Sequence, residues 1–227
     1  MKMRSSLLLI LLLDSVVCMK LGAGRPTDDH LVPFKPSIYD ELRPTLYRKL
    51  CVTPANYGRM IELPPGPERT EWAVSVSCDA SVTGEVCEVT LTRAASNLDY
   101  IMQERRGKDP LKAVDKVKVV RKHAPIQKTA AIAVRAAWLR FLRNSKPSPS
   151  RPNDPIALHT PKIEFWLPMP GGKAIKAEAP DKPGKSVMTL IALGKRLANY
   201  CEQPESQRAG LAAQIELDAG RLGARPR

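Results

Sequence analysis

The sequence has few aromatic residues and few histidines, and it contains none of the common catalytic motifs. Its 227 residues include 3 Trp, 5 Tyr and 3 Phe, and no aromatic ladder interleaves its basic segments, which argues against a platform for single-stranded nucleic acid. Its three histidines are scattered and no two cysteines are separated by two residues, so no zinc-site spacing is present. A nucleophile elbow, a zinc-binding histidine pair and a glycine-rich dinucleotide turn are also absent. We therefore expect a non-catalytic protein without metal or cofactor.

The longest apolar run is short and lies at the amino terminus. After the basic start at Met1–Arg4, leucine-rich residues extend from Ser5 to Val17 and include Asp14. A membrane-spanning helix needs about 20 consecutive apolar residues, whereas a basic start, a short apolar core and small residues after it are typical of a secretory signal. We predict that residues 1–24 are a signal peptide and that the chain is exported to the periplasm or secreted, with no transmembrane segment in the mature protein.

Two alternatives for this segment stay open. Cys18 directly follows the apolar core, and in this the segment resembles the signal of exported bacterial lipoproteins. Those proteins have a small residue before the modified cysteine, whereas this chain has Val17. The other alternative is a buried amino-terminal helix of a cytosolic protein.

Proline predicts an irregular segment before the main domain. The chain contains 21 prolines, above the average share of about 5%, and eight of them lie in residues 25–70. Because proline interrupts helices and strands, we predict an irregular arm over this range. One helix is still expected there, since Ser37 and Asp40 resemble a capping box before apolar residues at helical spacing. Pro44 would kink or divide that helix.

The middle of the chain carries strand and helix patterns. They predict a hairpin over 71–93, a strand over 116–120, a helix over 127–144, a hairpin over 162–179 and a helix over 186–201. A helix with one apolar face buries that face against a sheet. We therefore predict an α+β domain over 71–201, with two layers: an antiparallel sheet of two hairpins and one further strand, and two amphipathic helices on one face. Residues 202–227 are expected to be a flexible tail, with one or two helical turns around Leu211–Leu217.

Four cysteines remain after the predicted signal peptide, an even number in an oxidising compartment. Cys78 and Cys87 lie on the two arms of the first hairpin, where a turn over 81–84 would set them at bridging distance. Cys201 lies on the apolar face of the last helix, so a bridge to Cys51 would attach the arm to the core. A buried free thiol at each of these two positions is the alternative.

Positive charge is concentrated in one part of the chain. The net charge is +13, and residues 101–201 hold 21 Lys or Arg against 7 Asp or Glu. The densest basic stretch comprises Arg105, Arg106, Lys108, Lys112, Lys116, Lys118, Arg121 and Lys122. On a strand, the alternating lysines would lie on one sheet face, which would attract anionic lipid or acidic polysaccharide of the cell envelope through salt-sensitive contacts. A solvated surface without a partner is the alternative.

Two enzymatic alternatives rest on weaker patterns. His123 or His159 could serve as acid or base in a secreted hydrolase, with Glu164 or Asp154 orienting the ring. Their spacing matches no catalytic arrangement.

Residues 179–186, APDKPGKS, resemble the phosphate-binding loop of P-loop nucleotidases, with alanine in place of the first glycine. The resemblance implies that Lys185 would contact phosphates and that Ser186 would hold magnesium. The two prolines of this loop lack amide hydrogens, and the strand before it is not continuously apolar, as a buried parallel strand would be. The competing interpretation is that Ser186 caps the last helix, with Gly184 in the preceding turn.

Overall fold

A computed structural model describes residues 29–34, 43–53, 55–66, 68–81, 84–104, 110–147 and 161–224. Outside these ranges lie the predicted signal peptide with Cys18, and also Ser37, Asp40, Arg105, Arg106, Lys108, Asp154 and His159. The strands are β1 (Val32–Pro33), β2 (Gly58–Leu63), β3 (Trp72–Ser81), β4 (Gly84–Ala94), β5 (Val119–Ile126), β6 (Lys162–Pro168) and β7 (Ala174–Glu178). The helices are α1 (Arg43–Leu50), α2 (Leu98–Glu104), α3 (Pro110–Lys116), α4 (Lys128–Arg143), α5 (Lys185–Glu202) and α6 (Glu205–Gly223).

The seven described strands form one antiparallel sheet in the order β1-β7-β6-β2-β3-β4-β5. Strands β3 and β4 are the first predicted hairpin, which closes with Ser81 opposite Gly84. Strands β6 and β7 are the second, and Gly171 and Gly172 in its turn have the positive φ angles that favour glycine. The predicted α+β class is therefore confirmed, with both hairpins in the sheet.

Strand β2 lies in the centre of the sheet, which corrects the irregular arm predicted for residues 25–70. Met60 on β2 lies opposite Val74 of β3 on one side and Phe165 of β6 on the other. Met60 and Ile61 are both 0% exposed, because helices cover both faces of the sheet at this strand. A strand that is buried on both faces shows no alternation of apolar and polar residues. Its sequence therefore lacks the pattern by which the hairpins are recognised.

Helices pack on both faces of the sheet, whereas the sequence predicts two helices on one face. Helices α4 and α5 cover what we call the apolar face, formed by Met60, Val74, Val76, Val89, Leu91 and Phe165. Helices α1, α2 and α3 cover the opposite side, which we call the mixed face and which presents Arg59, Ile61, Ala73, Ser75, Thr90 and Glu164. Helices α2 and α3 have seven residues each, too few to give a clear helical period in the sequence.

Two glycines allow α4 and α5 to approach β2 closely. Gly58 has a φ of +128°, and a Cβ atom there would lie 2.2 Å from Cε3 of Trp138 on α4. On α5, a Cβ atom at Gly194 would lie 2.2 Å from Sδ of Met60. Trp138 and Met60 are fully buried, so neither side chain can move aside without disturbing a close-packed core. Any larger residue at either glycine would therefore push a helix away from the sheet.

The predicted helices over 127–144 and 186–201 are confirmed as α4 and α5, each with its apolar face buried. Helix α1 is described from Arg43 to Leu50 and carries Pro44 at its second described position. Residues 37–42, the first part of the helix predicted there, lie outside the described ranges, so the kink or division at Pro44 stays a prediction. No helix in the described part of the chain is long and apolar enough to cross a membrane.

The first predicted disulfide is present and the second is not. Cys78 and Cys87 are bonded across β3 and β4, with their Cα atoms 4.0 Å apart. Cys51 and Cys201 are free thiols. They cannot pair, because Cys51 packs on the mixed face and Cys201 belongs to the core under the apolar face. The predicted bridge between them is therefore wrong, and the alternative of two free thiols holds.

The predicted flexible tail is a helix that packs on the domain. Helix α6 spans 19 residues, Glu205–Gly223, and buries Ile215, Ala219 and Leu222 at helical spacing in the core with α4 and α5. Arg140 of α4 donates a hydrogen bond of 2.7 Å to the carbonyl oxygen of Leu222. Because only a narrow stripe of α6 is apolar, its alanines, glycines and charges give a weak amphipathic pattern.

Replacing Ile215 with alanine should test whether α6 is part of the folded core. Ile215 is 0% exposed, whereas Ile132 on α4 is 46% exposed. We expect Ile215→Ala to lower the free energy of unfolding by about 2–5 kcal/mol, because it leaves a cavity between packed helices. The matched change Ile132→Ala should alter it by no more than about 0.5 kcal/mol. Urea unfolding measures both, and equal small effects would show that α6 does not contribute to the core.

Candidate functional site

The dense basic stretch does not form one sheet face. Lys112 and Lys116 lie on α3, Lys118 lies between α3 and β5, and Arg121 and Lys122 lie in β5. The strand predicted over 116–120 is therefore wrong for its first half, where a helix ends and the chain turns into the sheet. A run of alternating lysine and valine fits a strand by period alone, but the packing of α3 against α1 and α2 decides the conformation here.

The basic residues of β5 lie at the edge of the sheet, on opposite faces. Arg121 lies opposite Thr92 and Lys122 opposite Leu91, so the two side chains point to opposite faces. Since β5 is the last strand in the sheet order, no strand of the described residues pairs with its outer side. Both side chains are exposed there, close in sequence to the exposed Lys116 and Lys118. We call Lys116, Lys118, Arg121 and Lys122 the basic edge.

The basic edge carries uncompensated positive charge. None of its four side chains forms an ion pair within the described residues. The nearest acid in sequence, Asp115, is already engaged: its Oδ1 lies 3.2 Å from Arg48, and its carbonyl oxygen accepts a 2.5 Å hydrogen bond from Lys49. Arg48 and Lys49 come from the end of α1, so the fold brings two further cations next to the end of α3.

The position of β5 is fixed by contacts on its inner side. It pairs with β4 along its whole length, from Val119 opposite Ala94 to Ile126 opposite Cys87. The hydroxyl of Tyr200 on α5 donates a 2.5 Å hydrogen bond to the carbonyl oxygen of Pro125. These contacts hold β5 in place, and β5 in turn fixes the positions of the exposed cations that it carries.

His123 has an acidic partner, but the geometry does not suit a catalytic triad. Its Nδ1 atom lies 3.1 Å from Oε2 of Glu88 and 3.1 Å from Oγ1 of Thr90. A triad requires the acid on one ring nitrogen and the nucleophile on the other, whereas here both partners share one nitrogen. Glu164 cannot orient the ring either, because three strands separate β6 from β5, a distance of about 19 Å at the usual strand spacing. These observations disfavour a hydrolase built on His123.

The loop over 179–186 precedes α5 in a way that disfavours a nucleotide site. Strand β7 pairs antiparallel with both β1 and β6, and the carboxylate of Asp29 occupies the start of α5. Oδ1 of Asp29 accepts a 2.5 Å hydrogen bond from the amide of Ser186, and its Oδ2 accepts one of 2.6 Å from the Ser186 hydroxyl. Burial raises the pKa of Asp29, but the hydrogen bonds from Ser186 and Val187 outweigh it, and the pKa lies below its usual value.

Ser186 is therefore not the cap of α5. Gly184 occupies the N-cap position and has no side chain that could accept a hydrogen bond from the first turn of α5. The carboxylate of Asp29, which is distant in sequence, accepts the hydrogen bond from the Ser186 amide instead. An added Cβ atom at Gly184 would lie 2.8 Å from the backbone of Asp29. A distant residue that caps a helix gives no local sequence signal, so this contact could not be predicted.

A buried polar cluster under α1 was not expected from the sequence. Nε of Arg59 donates a 2.8 Å hydrogen bond to Ser75, and its Nη2 donates one to the carbonyl oxygen of Thr53. Tyr47 on α1 donates a 2.7 Å hydrogen bond to Glu164, which is 0% exposed. Because hydrogen bonds to buried polar groups are costly to lose, this cluster holds α1 in place against the sheet.

The two free thiols do not resemble reactive cysteines. Burial raises the pKa of the Cys51 thiol, and burial raises that of Cys201 to about 12. A thiol reacts as its thiolate, so both groups are held in the unreactive form at neutral pH. Neither is suited to act as a nucleophile.

No group of side chains in the described part of the chain could hold a metal ion. No protein-family model, curated protein or solved structure matches this chain. The basic edge is a candidate site because its four charges are unpaired among the described residues.

Alkylation should distinguish the four cysteines of the domain. In the native protein at pH 8, we expect Cys201 to remain unlabelled by iodoacetamide, because its pKa of about 12 leaves almost no thiolate. Its labelling should accelerate as the pH rises towards 12. In urea, Cys51 and Cys201 should both react, whereas Cys78 and Cys87 should react only after reduction. Peptide mass spectrometry measures each site, and a peptide pair linking Cys51 to Cys201 would contradict the structure.

Proposed function

We propose that the protein binds anionic phospholipid surfaces of the cell envelope through the basic edge and catalyses no reaction. Four exposed cations on and just before the last strand of the sheet support this function, because none of them forms an ion pair among the described residues. Groups of unpaired cations attract anionic surfaces by a field that extends over about 8 Å at physiological salt. The proposal includes export, as predicted from residues 1–24.

Protection of the sheet edge does not account for all four cations. Edge strands often carry lysine because charge prevents pairing with other chains, and this role would explain Arg121 and Lys122. Lys116 and Lys118 precede β5, so they do not guard its backbone. Their position beside the end of α1, with its own two cations, is better explained by a binding surface.

One exposed apolar side chain favours a lipid surface over a soluble polysaccharide. Val120 lies between Lys118 and Arg121 and is 52% exposed. An apolar group among cations suits the boundary between headgroups and acyl chains, where cations contact phosphate and the apolar group is partly removed from water. An acidic polysaccharide would offer no apolar region to contact it.

Removal of the four charges should abolish vesicle binding. We expect the protein to sediment with vesicles that contain phosphatidylglycerol, and not with pure phosphatidylcholine vesicles. Changing Lys116, Lys118, Arg121 and Lys122 together to glutamine should weaken binding by about two to three orders of magnitude, since each cation near an anionic surface contributes about 1 kcal/mol. Binding by the unchanged protein should fall steeply between about 0.01 M and 0.15 M salt.

The matched control removes four exposed cations elsewhere: Arg143, Lys173, Lys182 and Lys185. This control variant has the same net charge as the basic-edge variant. It should bind vesicles nearly as well as the unchanged protein does. Equal weakening in the two variants would show that net charge alone drives binding, and the basic edge would not be a site. Alginate supplied as a competitor tests the polysaccharide alternative, and binding to alginate without binding to vesicles would overturn the lipid proposal.

A further inference from the structure

The outward side of α6 is used neither by the core nor by the basic edge. It forms a shallow surface depression, which we call the groove, with an open volume of about 590 Å³, lined by Ala213, Glu216, Leu217, Gly220, Arg221 and Ala224. Leu217 in this groove is 48% exposed. Most of the lining is apolar, and a single acid and a single base flank the leucine.

The six lining residues are arranged symmetrically along the helix. Glu216 and Arg221 lie at equal distances from the point midway between residues 218 and 219. The same holds for Leu217 and Gly220, and for Ala213 and Ala224. If a second copy of α6 lay antiparallel about a two-fold axis through that point, Glu216 would face Arg221 of the other copy. Leu217 would face Gly220, and the two alanines would face each other. A two-fold interface requires this self-complementarity.

The two charges of the groove are unpaired among the residues that the structure describes. Neither Glu216 nor Arg221 forms an ion pair among the described residues, whereas the neighbouring Asp218 is paired with Arg196. Being five positions apart, Glu216 and Arg221 do not face each other on one helix, where partners are three or four positions apart. A second copy would bring each charge its opposite.

Gly220 leaves open space on the surface of α6 in the described part of the chain. A Cβ atom at this position would meet nothing within 4 Å, and glycine inside a helix is unfavourable compared with alanine. In the antiparallel pair, the missing side chain would leave the space that Leu217 of the other copy enters.

From these observations we infer that the protein forms a homodimer in which two α6 helices pack antiparallel through this groove. A second copy is the occupant that matches the charge order, because it carries the complementary charges in the required register. One helix pair is smaller than a standard interface of about 1,600 Å², so the dimer is reversible, with a dissociation constant on the order of micromolar. The inference is independent of the lipid-binding proposal.

Charge exchange tests both the dimer and its register. Sedimentation velocity over a concentration series measures dimerisation of the purified protein. The same measurement is made on Glu216→Arg, on Arg221→Glu and on the double variant. Each single change places like charges opposite each other twice, at the two symmetric contacts, and should raise the dimer dissociation constant at least about tenfold. The double variant restores opposite charges and should dimerise as the unchanged protein does.

Two further variants separate dimerisation from folding and from net charge. Gly220→Leu fills the groove where one copy has open space, so it should prevent dimerisation without lowering the melting temperature. Lys182→Glu makes the same charge change as Arg221→Glu at an exposed site outside α6, and it should leave the dimer intact. A protein that stays monomeric up to about millimolar concentration, single variants that dimerise normally, or a double variant that fails to recover would each overturn the inference.

Discussion

Helices α4 and α5 approach the central strand β2 closely, and this contact determines how the other elements pack. Trp138 packs where Gly58 has no side chain, and Met60 packs where Gly194 has none. These contacts place two helices on one face of the same strand and bury its neighbours on both sides. Helix α6 packs on the outer side of α4 and α5, which cover the apolar face. The short helices α1, α2 and α3 cover the mixed face.

The two faces of the sheet contribute differently to function. The apolar face supplies the packed core and carries α6, whose outward side is the proposed dimer interface. On the mixed face, Tyr47 of α1 donates a hydrogen bond to Glu164, and Arg59 donates one to the carbonyl oxygen of Thr53, three residues beyond α1. That attachment brings Arg48 and Lys49 to the end of α3, where Arg48 pairs with Asp115. The basic edge thus keeps its excess charge because of a helix that is distant in sequence.

Much of the fold could be predicted from local periodicity. Both hairpins, α4, α5 and the Cys78–Cys87 disulfide follow from patterns that span no more than about 20 residues. Strand β2 and helix α6 could not be predicted, since one is buried on both faces and the other has a narrow apolar stripe. The capping of α5 by Asp29 and the separation of Cys51 from Cys201 are tertiary features with no local signal.

Only part of the candidate site could be predicted from the sequence. The concentration of lysine and arginine around residues 112–122 is visible in the sequence. Its arrangement is not, because the boundary between α3 and β5 depends on packing against α1 and α2. Alternating lysines suggested one charged sheet face, whereas the structure distributes the cations along an edge.

Hydrogen–deuterium exchange with and without anionic vesicles would show where the protein contacts lipid, because it locates contact along the chain without altering any residue. The account predicts slower exchange in residues 116–123 when phosphatidylglycerol vesicles are present, with exchange in α4 and α6 unchanged. Protection confined to another part of the chain, or no protection at low salt, would contradict it.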